Sequence, residues 1–200
     1  MGVGDLLKTD AEVYIAATGT AIPDETSINA GASWGASWTN LGLTNGPLAF
    51  KHEKSYFDHQ VEQYPGAVAR KVTGEICEFE VLLGEVTANN LARALGRNTT
   101  DVTTTAAGAS QKGYEEFTGG GVFDLDNWMI GFEGKRVLSD GSTQPVRLFI
   151  DKCTLHLNGQ LTFSARNDDA TGIPLMVKAL ADTSNSGRFY RWQRVTAAAT

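Results

Sequence analysis

Hydrophobic and polar residues alternate along much of the chain. In residues 12–18 (EVYIAAT), Val13, Ile15 and Ala17 fall on one side and Glu12, Tyr14 and Ala16 on the other, the period of two that marks a strand. The alternation is sharpest in residues 67–83, where Cys77, Phe79, Val81 and Leu83 face one way and Ile76, Glu78, Glu80 and Leu82 the other. Residues 48–59 form an extended run just before it, and the intervening VEQYPG segment carries the turn pair Pro65 and Gly66, so a long hairpin is predicted. Later strands are predicted at 128–138, 146–157 and 161–165, the last two joined by the hairpin signal Asn158-Gly159, and at 173–180 and 189–195.

One segment breaks this period. After Val86, Thr87 is placed to cap a helix, with Val86 facing Leu91 across the first turn, and Gly96 supplies a left-handed stop. Leu91, Ala94 and Leu95 share one stripe, so this helix is expected to lie across a sheet, being too short to stand alone. Residues 23–40 are rich in Gly, Ser and Asn. They contain Trp34 and Trp38 four apart, but Gly31 and Gly35 argue against a helix, leaving a loop anchored by its tryptophans to the body or to a neighbour. Residues 97–127, with three glycines at 119–121, read as a long loop, and both termini as flexible. The expectation is a single domain over residues 1–200, mainly β: an antiparallel β-sandwich or barrel with one short α-helix packed on it and a long protruding hairpin.

Composition narrows the function. A 200-residue chain that is 42% hydrophobic can bury a core without metal or disulfide. Its formal charge of −6 opposes the basic footprint of proteins that grip phosphate backbones. The two cysteines, Cys77 and Cys153, sit in apolar runs and read as buried free thiols. The first residues lack a signal peptide pattern and no window is long and apolar enough to span a membrane, so the expectation is a cytosolic product without membrane insertion.

Candidate chemistry is sparse. His52, His59 and His156 have no partners at metal or triad spacing, and His52 and His59, seven apart in an extended hairpin, point to opposite faces. Asp124 with Asp126, and Asp168 with Asp169, read as turn and solubility residues and do not match a calcium loop. Nucleophile elbows, phosphate loops, dinucleotide fingerprints and zinc-protease motifs are missing from the sequence. The expectation is a non-enzyme without cofactor, metal or catalytic residues.

Three stretches together, WTNLGLTNG from Trp38, FKHEKSYFDHQ from Phe50 and VTGEICEFEVLLGEVTANNLARALG from Val72, resemble the tail tube (major tail) proteins of long-tailed phages. The resemblance covers about the second quarter of the chain; beyond Gly96 it is one of strand order. It implies a virion structural protein, built in the host cytoplasm, whose six-fold rings stack into a tube, the conduit for DNA ejection. The implied partners are further copies of the chain, a tape-measure protein, tail terminator and distal tail proteins, and DNA in transient, non-specific passage. It also implies that the hairpin, with His52, Glu53, Lys54, Tyr56, Phe57, Asp58 and His59, reaches the adjacent ring. An acidic chain suits a channel through which DNA slides, and Glu78 and Glu80 are the candidates for its wall; on a monomer they would simply face solvent. Val86, Leu91 and Leu95 are the helix-packing candidates. The alternative is a β-sandwich binding module, a capsid decoration or a glycan- or receptor-binding protein, with Trp34, Trp38 and Trp192 as a stacking platform.

Overall fold

The computed structural model describes residues 7–24, 29–121, 125–137, 141–161 and 172–196, with side chains from residue 11 onward. Ten strands and one α-helix make up the regular structure among them: β1 (Leu7–Ala17), β2 (Thr39–Leu43), β3 (Ala49–Gln60), β4 (Ala67–Leu83), α1 (Ala88–Ala94), β5 (Thr103–Thr105), β6 (Tyr114–Glu116), β7 (Trp128–Val137), β8 (Thr143–Leu157), β9 (Ile173–Ala179) and β10 (Tyr190–Arg194). All but β5 and β6 belong to one antiparallel sheet in the order β2-β1-β7-β8-β9-β4-β3.

Strand β8 is the hinge of this sheet. Along one edge it pairs with β7. Along the other, residues 153–157 pair with β9 and residues 146–150 pair with β10, so one strand carries two neighbours end to end. The sheet folds over until the end of β2 meets the end of β4, where Thr44 bridges Leu83 and Asn45 N–H donates to the Leu82 carbonyl. The result is an antiparallel sandwich, touching at one corner without closing into a barrel.

The interior holds the residues that alternation selected: Val13 and Ile15 from β1, Cys77, Phe79, Val81 and Leu83 from β4, Ile130 and Phe132 from β7, Ile150, Cys153 and Leu155 from β8, and Ile173, Leu175 and Val177 from β9. Both thiols are buried and unpaired with each other, and burial pushes the Cys77 thiol up to about 12 and that of Cys153 higher.

Strand β1 buries its second face too. Tyr14 and Ala16, with Met129 and Phe149, form a smaller cluster under the loop that carries Trp34 and Trp38. Trp34 stacks on Tyr14 with ring centroids 4.1 Å apart, and Trp38 meets it edge-on at 5.1 Å. Gly131 makes this possible, since a Cβ there would overlap the Trp34 indole. Beneath the indole, Glu133 and Arg147 form an ion pair of 2.7 Å with each side chain only 1% exposed. Glu133 also accepts from Trp34 Nε1 at 3.0 Å and from Gly31 N–H at 2.5 Å. These donors fill the acceptor positions of the buried Glu133 carboxylate, which is what lets its charge be tolerated there.

Helix α1 starts and stops as expected. The Thr87 side chain accepts from Asn90 N–H, and Gly96, at φ 73°, closes the last turn with bonds from Gly96 to Arg93 and from Arg97 to Ala92. The packed face differs from the predicted stripe. Ala92, Ala94 and Asn90 are buried and Leu91 packs against the core, whereas Val86 and Leu95 remain 40% and 42% exposed. The cause is Asn90: its amide donates to the carbonyls of Leu41 and Glu85, which turns the helix so that a polar side chain faces inward.

Two further differences concern loops. The stretch read as ending at residue 40 contains the start of β2. The long excursion is partly ordered, with a helical turn at Thr99–Asp101 and the two-stranded sheet β5-β6. The strand expected at 161–165 lies, apart from Leu161, outside the described residues, as do Asp124, Asp168, Asp169 and the outermost termini.

Candidate assembly interface

Strands β3 and β4 pair over their whole length, from Ala49 opposite Glu80 to Gln60 opposite Ala67. Only the base of this ribbon belongs to the body, because β9 pairs with β4 from Glu78 to Leu83 and no further. Residues 67–76 and their partners on β3 therefore extend beyond the sandwich by roughly 33 Å at ~3.3 Å per residue. Both edges of this extension are unpaired among the described residues.

The ribbon is braced at its root and along its length. His52 Nε2 bonds the Glu75 carboxylate, Lys54 pairs with the same group at 3.3 Å, and the Tyr190 ring closes on His52 and on Phe50 from β10. The bond from His52, and after it Lys54, holds the Glu75 carboxyl below the usual carboxylate range. Further out, Arg70 forks onto Asp58 at 2.6 and 2.9 Å and lies over the Tyr56 ring, and this pairing lowers the Asp58 pKa. These cross-strand pairs tie the two strands of the ribbon together without giving it a core.

What the ribbon lacks is cover. Tyr56, Phe57, Tyr64, Val68, Val72 and Ile76 are all exposed, Tyr64 at the tip by 66%. A two-stranded ribbon is marginal in water, and free strand edges beside bare aromatic side chains invite pairing with another chain. Of the predicted hairpin residues, Tyr56 and Asp58 share one face with Arg70 and Val72. Phe57 and His59 occupy the other with Lys71, Glu53 stays exposed, and His52 and Lys54 serve the root. A register shift between Ser55 and Tyr56 supplies an extra twist there.

The two proposed wall carboxylates differ. Both lie on the outward side of β4, but Glu78 is only 18% exposed and pairs with Lys178 at 3.4 Å and Lys51 at 4.0 Å. Glu80 is exposed between Ala49 and Met176. The charges opposing Glu78 sit on β3 and β9, so reading β4 alone misses them.

Three other features were not found from sequence. Asp151 on β8 is buried and receives Arg188 at 2.6 Å and Arg191 at 2.8 Å, which ties β10 and the turn before it to the body. A polar cleft between β2, α1 and the following turn is lined by Asn40, Glu85, Asn90, Arg93 and Thr99. An apolar groove of about 420 Å³ opens between the root of β3 and strands β7, β8 and β10, lined by Leu48, Phe50, Phe132, Leu148, Tyr190 and Trp192.

The stacking platform required by a glycan-binding module is not formed. Trp34 and Trp38 are buried under their own loop, and only Trp192 is open, at 59%. Among the described residues no group of three His, Cys, Asp or Glu side chains is arranged to hold a metal, and no helix is long and apolar enough to cross a membrane.

A family model described as phage tail tube protein matches residues 8–198. No curated protein matches the chain significantly.

Proposed function

Because the chain belongs to the phage tail tube protein family, a structural component of the virion tail, we propose that it assembles into hexameric rings that stack into the tube through which DNA is ejected. The observation that carries this reading is the β3-β4 ribbon, which exposes apolar side chains and two free edges some way from the body. In the proposed tube the ribbon crosses to the adjacent ring, where Tyr56, Phe57 and Tyr64 gain cover. Strands of neighbouring subunits join edge to edge, which removes the unpaired backbone groups. The outward face of β8, β9, β4 and β3 turns to the lumen, with Glu80 as the carboxylate that meets passing DNA and Glu78 held in a neutralised cluster.

The tube surrounds a tape-measure protein during assembly in the host cytoplasm and is bounded by tail terminator and distal tail proteins. The chain works by geometry and charge, with no catalytic residue, metal or cofactor. Replacing residues 55–74 by Asn-Gly, which joins the facing pair Lys54 and Glu75 through a tight turn, tests the assignment. The shortened chain should keep its fold by circular dichroism and its midpoint in urea, yet form no tubes by electron microscopy. Tubes of normal length would contradict the role given to the ribbon.

A further inference from the structure

The polar cleft between β2, α1 and the turn that follows it holds a charge that folding leaves without a partner. Arg93, in the last turn of α1, makes no hydrogen bond or ion pair among the described residues, and its Nε is buried away from water. Two other buried side-chain atoms lack a bond, Arg147 Nη1 and Gln193 Oε1, but both of those residues have interactions elsewhere. Partial burial with no opposing charge lowers the Arg93 pKa. A basic residue in this turn favours the helix dipole, yet a fully exposed side chain would serve that end as well. A guanidinium drawn out of water without an acceptor costs the fold free energy, and a bound group is what supplies the acceptor.

The cleft, of about 450 Å³, has room for such a group. Thr39 comes from β2, Glu85 and Asn89 from the start of α1, and Thr99 and Thr104 from the turn and strand beyond it. Glu85 does not neutralise Arg93. Its carboxyl lies against β2, in the space that a Cβ at Gly42 would take, and it makes no ion pair among the described residues. Two opposite charges therefore stand unpaired on different walls of one cleft, with hydroxyl and amide groups between them.

We propose that this cleft binds a carboxylate group with a hydrogen-bond donor beside it, the carboxylate seated on the Arg93 guanidinium and the donor turned to Glu85. The planar fork of arginine matches the two oxygens of a carboxylate, and the hydroxyls of Thr99 and Thr104 add donors. A doubly charged phosphate fits less well, because Glu85 repels each added negative charge. An acidic residue of a peptide has this chemistry, in its side chain and backbone N–H, and so has a free acylated amino acid. With 23 acidic against 17 basic residues, a neighbouring copy of the chain is one source and a small free molecule the other. The site itself does not depend on the subunits forming a tube.

N-acetylglycine, one carboxylate with one amide N–H beside it, is the probe. Added to dispersed subunits, it should shift the Arg93 Nε–H and Asn89 amide signals saturably in heteronuclear NMR spectra, whereas N-acetylglycinamide, which lacks the charge, should not. Arg93→Gln should bind the probe at least tenfold more weakly. Glu85→Gln should bind acetate, which has no donor, more tightly than the parent does, because a like charge has gone. Absence of a saturable shift in the parent, equal binding by Arg93→Gln, or weaker acetate binding by Glu85→Gln would each overturn the site. Tube yield then separates the sources: a loss of at least tenfold in Arg93→Gln assigns the carboxylate to a neighbouring copy, and an unchanged yield assigns it to a free molecule. Failure of the parent to form any tube would refute the tube reading and leave the binding result standing.

Discussion

Replacing Glu133 by Gln is the sharpest probe of how the body of the subunit is held. Glu133 and Arg147 are each 1% exposed and 2.7 Å apart, and Gly31 and Trp34 donate to the same carboxylate. The amide still accepts from one neutral donor, but the Arg147 guanidinium loses its opposing charge where water does not reach it. Breaking a buried pair in this way costs about 3 to 5 kcal/mol. With a urea slope of about 2 kcal/mol per molar, the midpoint should fall by about 1.5 to 2.5 M. The measurement is urea unfolding of dispersed subunits followed by tryptophan fluorescence, which Trp34 reports directly because it stacks on Tyr14 beside the pair. Adding Arg147→Met to Glu133→Gln should recover more than half of the loss, since neither charge is then stranded. A loss below about 1 kcal/mol in the single variant, or strict additivity in the double, would mean that the Glu133–Arg147 pair does not hold the loop to the sheet.

Leu91→Ala should cost about 2 kcal/mol, because Leu91 packs against the core from α1; a shift under about 0.5 kcal/mol would mean that the helix does not rest on the sheet. The Glu75 carboxyl is held below its ordinary range by His52 and Lys54, so its support for the ribbon root is present above about pH 4.3 and is lost as pH falls through the depressed folded value. Amide protection at residues 52–54 and 74–76, corrected for the intrinsic exchange rate, should fall over that acidic interval in the parent and stay level in Glu75→Gln; identical profiles would exclude Glu75 as the brace. Glu80→Lys should leave tubes intact but impair DNA delivery, more at low than at physiological salt, whereas normal delivery at both would remove Glu80 from the lumen wall.

The strands with one clear face were legible in the sequence. The alternation from Cys77 to Leu83 and the Pro65-Gly66 turn located the hairpin, and Thr87 with Gly96 bounded the helix, because each signal is local. What stayed hidden depended on residues far apart in the chain. Trp34 read as a loop anchor, to the body or to a neighbour, and the sequence did not choose between them. Its burial requires Gly131 and Glu133, about a hundred positions away, to open a space and supply an acceptor. Leu95 fitted a helical stripe and Val86 a contact across the first turn, but with Asn90 reaching for the Leu41 carbonyl the helix leaves both exposed. Glu78 and Glu80 looked equivalent on β4, and only the pairing of β9 and β3 on either side brings Lys178 and Lys51 to one of them. The groove at Trp192 draws on β3, β7, β8 and β10, far apart in the chain, and had no sequence signature.

If the subunit is completed by other copies of itself, cryo-electron microscopy of the purified chain at assembling concentration should show it. The expected images are stacked six-fold rings in which residues 55–72 of each subunit are covered by a subunit of the adjacent ring and Glu80 faces the channel. A chain that stays monomeric at every concentration, or rings that stack with the β3-β4 ribbon left free in solvent, would contradict it.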